Sequence, residues 1–328
     1  MVKYIIKRVL YSIMILLLVS MILYCLMRLL PDDYIDTVLV GQMGDKTIAQ
    51  EDIDRIKQIY GLSDSIPVGY INWLGSALKG DLGISFKYGQ EVTKVIADHM
   101  WISFGVAIIA YIFQFIIAIP LGIKAATKQY GAVDYTTSIF SMIGISLPGF
   151  FLAILLIRIF AVGLGWFPIN GLFDATVNWE GNGFGKFLNI IYHMILPMVA
   201  IIIGSIGGLM RHTRTNTLEV LNQDYIRTAR AKGLSERTVV YKHVFRNTMV
   251  PIVTMTAGII PSLFGGMMIL EQVFALDGIG NIAYNALAVG DIPFVMGYNM
   301  FIAILTVIGT LLSDITYMLV DPRIKISK

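Results

Sequence analysis

Charged side chains are scarce in this chain. Of its 328 residues only 14% are Asp, Glu, Lys or Arg, whereas a typical soluble domain carries about 25%. Hydrophobic residues make up 56%, and the mean hydropathy is +0.72. A soluble fold of this size cannot hide so much apolar surface, so the composition excludes an ordinary soluble enzyme and a disordered chain. The continuous apolar runs also exclude a β-barrel porin, whose strands alternate.

Cysteine and catalytic motifs are lacking as well. The single cysteine, Cys25, lies in an apolar run, which excludes an intrachain disulfide framework and a multi-cysteine metal site. Nothing matches a P-loop, because the nearest sequence, Gly44–Thr47, lacks the glycine before its lysine. Neither His-Glu-x-x-His nor Gly-x-Ser-x-Gly occurs. The sequence therefore contains no recognisable motif for nucleotide hydrolysis or hydrolase chemistry.

Six apolar stretches are long enough to cross a membrane as helices, because the hydrocarbon core is about 30 Å thick and a helix rises about 1.5 Å per residue. These stretches are Val9–Met27, Trp101–Ile123, Tyr135–Ile157, Phe187–Met210, Asn247–Leu270 and Ile292–Ser313. The first is too long for a usual signal-peptide core and lacks a cleavage site, so we expect a retained anchor. The sequence thus predicts an all-α polytopic membrane protein with six transmembrane helices.

The distribution of charge predicts the orientation. With the N-terminus inside, the inner segments hold 16 Lys and Arg against five acidic residues, and the outer segments hold eight against 16. This bias predicts that both termini are cytoplasmic. The net charge of +3 is too small to suggest nucleic acid. The expected organisation is an anchor helix at 1–30, an extracytoplasmic segment at 31–100 with a short amphipathic helix near 47–61, a core at 101–320 with a cytoplasmic loop at 211–246, and a tail at 321–328.

The cytoplasmic segment 211–246 predicts two short helices joined at a glycine. Asp224 can cap a first helix that reaches about Lys232, and Gly233 suits its left-handed end. Ser235 suits the cap of a second helix. Such a knob either touches anionic lipid with its basic residues or docks a soluble partner. The residues alone leave both interpretations open.

Glycine and proline mark positions inside the spans. Gly204 and Gly208 have the Gly-xxx-Gly spacing, which predicts close helix packing. Pro148 and Pro261 predict interruptions of the third and fifth helices, where freed backbone groups must pair with protein or line a cavity.

At the segment Asp224–Leu234, DYIRTARAKGL, the sequence resembles the permease subunits of bacterial ABC importers, specifically the B-type subunits of the dipeptide, oligopeptide and nickel branch. The segment resembles that branch's EAA loop, by which such permeases touch their ATPase, and Gly233 falls on the loop's glycine. Further matches follow in order at Tyr4–Arg8, Gly80–Ser85, Pro120–Gly122, His243–Pro251, Glu271–Gly280 and Asp321–Arg323. Asp277 departs from the pattern, which has proline at this position.

The resemblance implies a type I ABC importer permease fold and the import of dipeptides or oligopeptides across the bacterial cytoplasmic membrane. It implies a homologous second permease, two cytoplasmic ATP-binding subunits and an extracytoplasmic peptide-binding protein as partners. The chain would not be an enzyme and would bind no cofactor, since ATP and Mg belong to the ATPase subunits. The implied ATPase-coupling residues are Asp224, Tyr225, Arg227, Thr228, Ala229, Arg230, Ala231, Lys232, Gly233 and Leu234.

Spans three and five are the hypothetical borders of the translocation pathway. The candidate residues are Ser146, Pro148, Phe150, Pro261, Phe264 and Glu271.

Other functions remain open at this stage. A nickel importer of the same branch is the first alternative. A stand-alone secondary carrier would need charges near mid-membrane, whereas Arg158 and Asp314 lie near the ends of their spans. A membrane-embedded enzyme would need a catalytic cluster, which the sequence does not show.

Overall fold

The computed structural model describes residues 2–29, 64–255, 258–265 and 267–320. Within these ranges the regular elements are helices, apart from one β-bridge between Ile84 and Glu91. The amphipathic helix expected near 47–61 and the tail 321–328 lie outside the described residues. The helices are α1 (Val2–Arg28), α2 (Ile66–Leu78), α3 (Val92–Thr127), α4 (Ala132–Ser146), α5 (Gly149–Leu156), α6 (Gly183–Leu221), α7 (Asp224–Ala231), α8 (Glu236–Thr238), α9 (Phe245–Met255), α10 (Ile259–Phe264), α11 (Met268–Val273), α12 (Ile279–Ala288) and α13 (Ile292–Val320).

Four of the described helices are long and apolar enough to cross a membrane: α1, α3, α6 and α13. A fifth span is formed if α4 and α5 are counted together, with the π-helical turn Ile157–Gly163 that extends α5. The predicted fifth span, Asn247–Leu270, is instead divided among α9, α10 and α11. The described residues therefore show four or five of the six predicted spans.

Pro148 and Pro261 occupy different positions relative to the helices around them. Leu147 has an extended backbone before Pro148, and the helix axis bends by 101° between α4 and α5. The predicted interruption at Pro148 is therefore confirmed. Pro261 lies in the first turn of α10, where its missing N–H costs nothing, and the fifth span is interrupted on both sides of this short helix rather than at the proline itself.

The described chain divides into two compact units. The first draws on the ranges 1–103, 260–268 and 277–311, and its largest fully buried side chains include Trp73, Tyr24 and Phe294. The second draws on 104–259, 269–276 and 312–328. Its largest hydrophobic cluster packs α5 against α6 around Ala153 and Ala200.

Glycines bring helices of the second unit into backbone contact. A Cβ placed on Gly144 of α4 would lie 2.6 Å from the carbonyl oxygen of Ile203 in α6. A Cβ on Gly207 of α6 would lie 2.5 Å from the carbonyl oxygen of Ser141 in α4. Either distance is shorter than van der Waals contact permits, so only glycine fits at this crossing.

The predicted packing role of Gly204 and Gly208 is wrong within this chain. A Cβ on either residue would have nothing within 4 Å. Gly204 and Gly208 therefore lie on a face of α6 other than the one that crosses α4.

The neighbouring glycines of α6 give a matched pair of variants. Gly207→Ala should force α4 away from α6 and lower the melting temperature of the detergent-solubilised protein by several degrees. Gly208→Ala should leave the melting temperature unchanged or raise it slightly, because alanine is favoured over glycine in a helix by up to about 1 kcal/mol. Differential scanning fluorimetry checks both. Equal melting temperatures for the two variants would contradict the crossing geometry.

Candidate coupling surface and pathway segments

The long helix α6 leads directly into the predicted coupling segment. The helix continues to Leu221, so residues from Arg211 onward, predicted as loop, form its last turns. Only Asn222 and Gln223 separate it from α7. Residues 222–244, called the knob below, are thus carried on the end of a helix that is 39 residues long.

The turn at Gly233 follows the predicted geometry. Gly233 has φ +75°, and its N–H donates to the carbonyl of Arg230 at 2.9 Å. The Ser235 hydroxyl accepts from the Thr238 N–H at 3.3 Å, which confirms the predicted cap. The predicted cap at Asp224 is wrong. Gln223 occupies the N-cap position of α7, and Asp224 lies in the first turn, where its negative charge is still favourable near the helix N-terminus.

A small hydrophobic core holds the knob together. Ile226 and Ala229 of α7 pack with Val239 and Val244 of the π-helical turn that continues α8, and all four are buried. Val220 and Leu221, at the end of α6, pack against the same cluster. The knob is therefore joined to α6 by side-chain packing as well as by the chain.

An ion pair closes the glycine turn. The Arg230 guanidinium donates from Nε to Glu236 Oε1 at 2.7 Å and from Nη2 to Oε2 at 3.3 Å. The two residues lie on opposite sides of Gly233. Both side chains are largely exposed, so the pair adds little to stability, but it orients the turn.

The coupling residues predicted from the sequence lie mostly on one exposed surface. All except Ala229 are exposed. Tyr225 and Leu234 add apolar area to this surface, and Tyr241, which the sequence analysis missed, is 69% exposed. Basic residues accompany them at Arg227 and Lys232. Aromatic and basic groups around a shape-defined turn are typical of a protein-binding surface.

The predicted pathway residues do not fall in one compact unit. Ser146 ends α4, Pro148 precedes α5 and Phe150 lies in its first turn, all in the second unit. Glu271 is buried in α11, also in the second unit. The remaining two candidates belong to α10 of the first unit, namely Pro261 and Phe264.

The α4–α5 break and α11 lie close together within the second unit. A Cβ on Gly149 would lie 3.9 Å from Leu270 Cδ1. The break therefore packs against the element that carries Glu271.

A partly buried ion pair, which the sequence analysis missed, joins α4 to α6. Arg214 donates to the Asp134 carboxylate from Nε at 2.5 Å and from Nη2 at 2.9 Å. The Tyr130 N–H donates to the same carboxylate at 3.0 Å. Asp134 is buried, so the bidentate pair defines how the ends of the two helices meet. No local pattern pairs residues that are 80 positions apart.

The motif Gly80–Ser85 forms a tight turn in the first unit. Gly80 and Gly83 have φ near +85°, and the Gly83 N–H donates to Asp81 Oδ1 at 3.0 Å. The turn places the fully buried side chain of Ser85 next to Asp291. The Ser85 hydroxyl donates to Asp291 Oδ2 at 2.5 Å. The motif is thus a structural clamp on the segment before α13.

Asp291 is the centre of this clamp. Its carboxylate also accepts from the Lys87 N–H at 3.1 Å and from the Phe294 N–H at 3.2 Å, the latter a cap of α13. The side chain is fully buried, and burial raises the pKa of Asp291 from its ordinary value of 3.8. The hydrogen bonds oppose this shift without cancelling it.

Comparison with known proteins identifies the class. The family described as "Binding-protein-dependent transport system inner membrane component" matches residues 118–326, and the N-terminal family of such membrane components matches residues 1–107. The chain therefore belongs to this family. It is a multi-pass component of the inner, or cytoplasmic, membrane, and the resemblance to ABC importer permeases is confirmed.

Individual relatives extend the match over the full chain. It is 37% identical over 99% of its length to the whole of the oligopeptide transport system permease protein AppB of Bacillus subtilis. It is 32% identical over 100% of its length to 99% of the dipeptide transport system permease protein DppB of the same species. It is 33% identical to a putative peptide permease protein of Brucella suis, with both chains fully covered.

A solved structure supports the fold. The inward-facing MetNI methionine ABC transporter contains a chain that matches 69% of this one, with a TM-score of 0.51 and 18% identity. The match covers 96% of that chain. This likeness establishes the type I importer permease fold and nothing about the substrate.

The Asp291 clamp predicts a pH dependence. Because the pKa of Asp291 is raised in the folded state, the folded protein binds that proton more tightly than the unfolded chain does. Its contribution to the free energy of unfolding therefore falls as the pH rises from about the ordinary value of 3.8 to the raised pKa, and is constant above it.

The variant Asp291→Asn keeps a capping side chain for α13 but removes the titration. Melting temperatures of both proteins across this pH range should show a smaller slope in the variant. An unchanged slope would show that the buried carboxylate does not contribute to the pH dependence.

Proposed function

We propose that this chain is the permease subunit of an ATP-driven, binding-protein-dependent importer of dipeptides and oligopeptides. It forms half of the translocation pathway and engages the cytoplasmic ATPases through the knob. The family match and the full-length peptide-permease relatives support this function. The observation that carries it is the exposed turn of the knob, built on a continuous helix.

The proposed assembly contains a homologous second permease, two cytoplasmic ATP-binding subunits and an extracytoplasmic peptide-binding protein. Chemistry is confined to the ATPase subunits, which bind ATP and Mg, and this chain breaks no bond. Its relatives carry the names of peptide permeases, which favours peptide over nickel as the substrate.

The mechanism follows from the packing of the knob. ATP binding closes the ATPase pair and displaces the exposed turn around Gly233. The buried cluster of Ile226, Ala229, Val239 and Val244 keeps the knob rigid, so the displacement reaches Leu221 and α6 rather than being absorbed locally. The pathway then alternates between two packed states, one open to each side.

The proposal includes six spans with both termini in the cytoplasm. In this arrangement α4 with α5 forms the third span, and α9 to α11 form the fifth. The knob and the segment between α3 and α4 then lie inside, and the segment between α5 and α6 lies outside. The excess of Lys and Arg in the inner segments supports this orientation.

Single cysteines test the orientation. In a Cys25→Ser background, we expect Asn178→Cys to react with a membrane-impermeant maleimide in right-side-out vesicles. We expect Asn222→Cys to react only in inside-out vesicles. Both side chains are exposed on this chain, so in vesicles stripped of the ATPase subunits access depends on sidedness. Reversed labelling would contradict the orientation.

Two glycines give a matched test of coupling. Gly233 and Gly181 both have φ +75°, and a Cβ on either meets nothing within 4 Å. A tryptophan at either position imposes similar backbone strain, but only Gly233 lies in the knob. Gly233→Trp should lower peptide uptake by about tenfold or more and uncouple ATP hydrolysis from uptake, because the knob no longer fits its partner. Gly181→Trp should retain uptake.

Uptake and ATPase activity of the reconstituted assembly provide the measurement. Equal uptake by the two variants would exclude the knob as the coupling element. Loss of Gly233→Trp from the membrane fraction, judged against Gly181→Trp, would instead indicate a folding defect.

A further inference from the structure

A cleft in the second unit lies between α4 and the later part of α6, beside the ion pair of Asp134 with Arg214. Its volume is about 360 Å³, within the range of about 300–1,000 Å³ that is typical of ligand pockets. Arg211 and Arg214 line it from α6, and none of the described residues that line it is acidic. The cleft is therefore basic, and it contains neither the predicted pathway residues nor the knob.

The Asp134 carboxylate orients Arg214 without using its whole guanidinium. The carboxylate accepts from Nε and Nη2, and the third nitrogen, Nη1, makes no hydrogen bond among the described residues. The Arg214 side chain is 26% exposed. A planar guanidinium that is already oriented loses little conformational entropy when it binds a second anion.

Arg211 brings a positive charge that no described carboxylate compensates. It lies three residues before Arg214 on α6, its side chain is exposed, and it forms no ion pair among the described residues. Thr215 lies four residues after Arg211, which places its hydroxyl on the same face of the helix. Two guanidinium groups beside one carboxylate leave a net positive charge. An anion complements this charge, and arginine pairs with phosphate through bidentate hydrogen bonds.

The two walls of the cleft have their polar residues at the same end. The contacts of Gly144 with Ile203 and of Asp134 with Arg214 show that α4 and α6 are antiparallel. On α4 three hydroxyl side chains come first and two apolar ones follow, namely Thr137, Ser138, Ser141, Met142 and Ile145. On α6 the apolar residue, Met210, comes before the two arginines. The lining thus changes from basic and polar near the Asp134–Arg214 pair to apolar further along both helices.

This change in polarity follows the depth in the membrane. The predicted spans begin at Tyr135 and end at Met210, so the basic end lies at the membrane surface and the apolar end lies within the hydrocarbon. Met142 is 68% exposed and Ile145 is 51% exposed, so the apolar end is open at the side of the helix pair. A free phosphate or a carboxylate would use only the basic end. An anionic amphiphile complements both ends.

We propose that this cleft binds an anionic phospholipid of the leaflet on the side of the knob. The phosphate lies at Arg211 and Arg214, and the acyl chains begin along Met142 and Ile145. In the orientation proposed above this is the inner leaflet, where basic pockets between membrane helices bind anionic headgroups. The bound lipid bridges α4 and α6 beside their close crossing and stabilises that helix pair.

Lipid binding to the purified protein tests the site. The full chain is purified in a mild detergent with any subunits that accompany it, and native mass spectrometry measures the apparent Kd of the first bound lipid. The probes are dioleoylphosphatidylglycerol and dioleoylphosphatidylethanolamine, which have the same acyl chains and differ in net charge. Glycerol 1-phosphate, an anionic group without acyl chains, is added as a competitor. The wild type should prefer phosphatidylglycerol, and an equal concentration of glycerol 1-phosphate should not displace it.

Two arginine variants give a matched pair. Arg211→Gln should weaken the binding of phosphatidylglycerol about fivefold, as expected for the loss of one basic residue at an anionic headgroup, and leave phosphatidylethanolamine unchanged. Arg246→Gln removes the same charge from the start of α9, outside the cleft, and should retain the wild-type affinity. Both side chains are exposed, so we expect both variants to fold.

Three results would overturn the lipid site. Equal affinity of the wild type and Arg211→Gln for phosphatidylglycerol would show that the lipid does not use the cleft, as when a second permease covers it. An equal loss in Arg246→Gln would show general attraction to a basic surface. Displacement of the lipid by glycerol 1-phosphate, dependent on Arg211, would identify a site for free anions. Since none of these measurements involves peptide, the proposed function stands or fails separately.

Discussion

A helix crossing with almost no space between two backbones determines the arrangement of the second unit. Gly144 and Gly207 each face a carbonyl oxygen of the opposite helix, so α4 and α6 meet without intervening side chains. The ion pair between Asp134 and Arg214 joins the same two helices elsewhere along their length. In a membrane, where hydrophobic exclusion cannot drive helices together, such close contact supplies the attraction, and the ion pair adds to it at the ends of the two helices.

Helix α6 also connects this crossing to the knob, because the helix continues from one to the other. From Gly208 to Leu221 it runs for 14 residues without a break, about 20 Å at 1.5 Å per residue. The close crossing with α4 lies at one end of this stretch, and the buried cluster of the knob lies at the other. Under the proposed function, a displacement at the knob reaches the crossing with α4 through one rigid element. No separate hinge is required.

Local chemistry was predictable from the sequence, and pairing across the fold was not. Gly233, Ser235 and Pro148 were assigned correctly because turn, cap and break geometry depend on the residue and its neighbours. The close packing expected of Gly204 and Gly208 is not found within this chain, since spacing alone does not say which face of a helix meets another. The contacts of Asp134 with Arg214 and of Ser85 with Asp291 join distant segments, so no local pattern reveals them.

The scarcity of charge in the sequence has a functional consequence. A carrier for peptides of varied side chains gains little from charged groups at mid-membrane, which cost free energy to bury and would select particular substrates. Among the described residues, a cleft between α3, α6 and α9 is lined by no acidic side chain, and its carboxamide, Gln114, donates to the main-chain carbonyl of Ser205. Specificity for a particular peptide can then reside in the binding protein, while the membrane subunit provides passage.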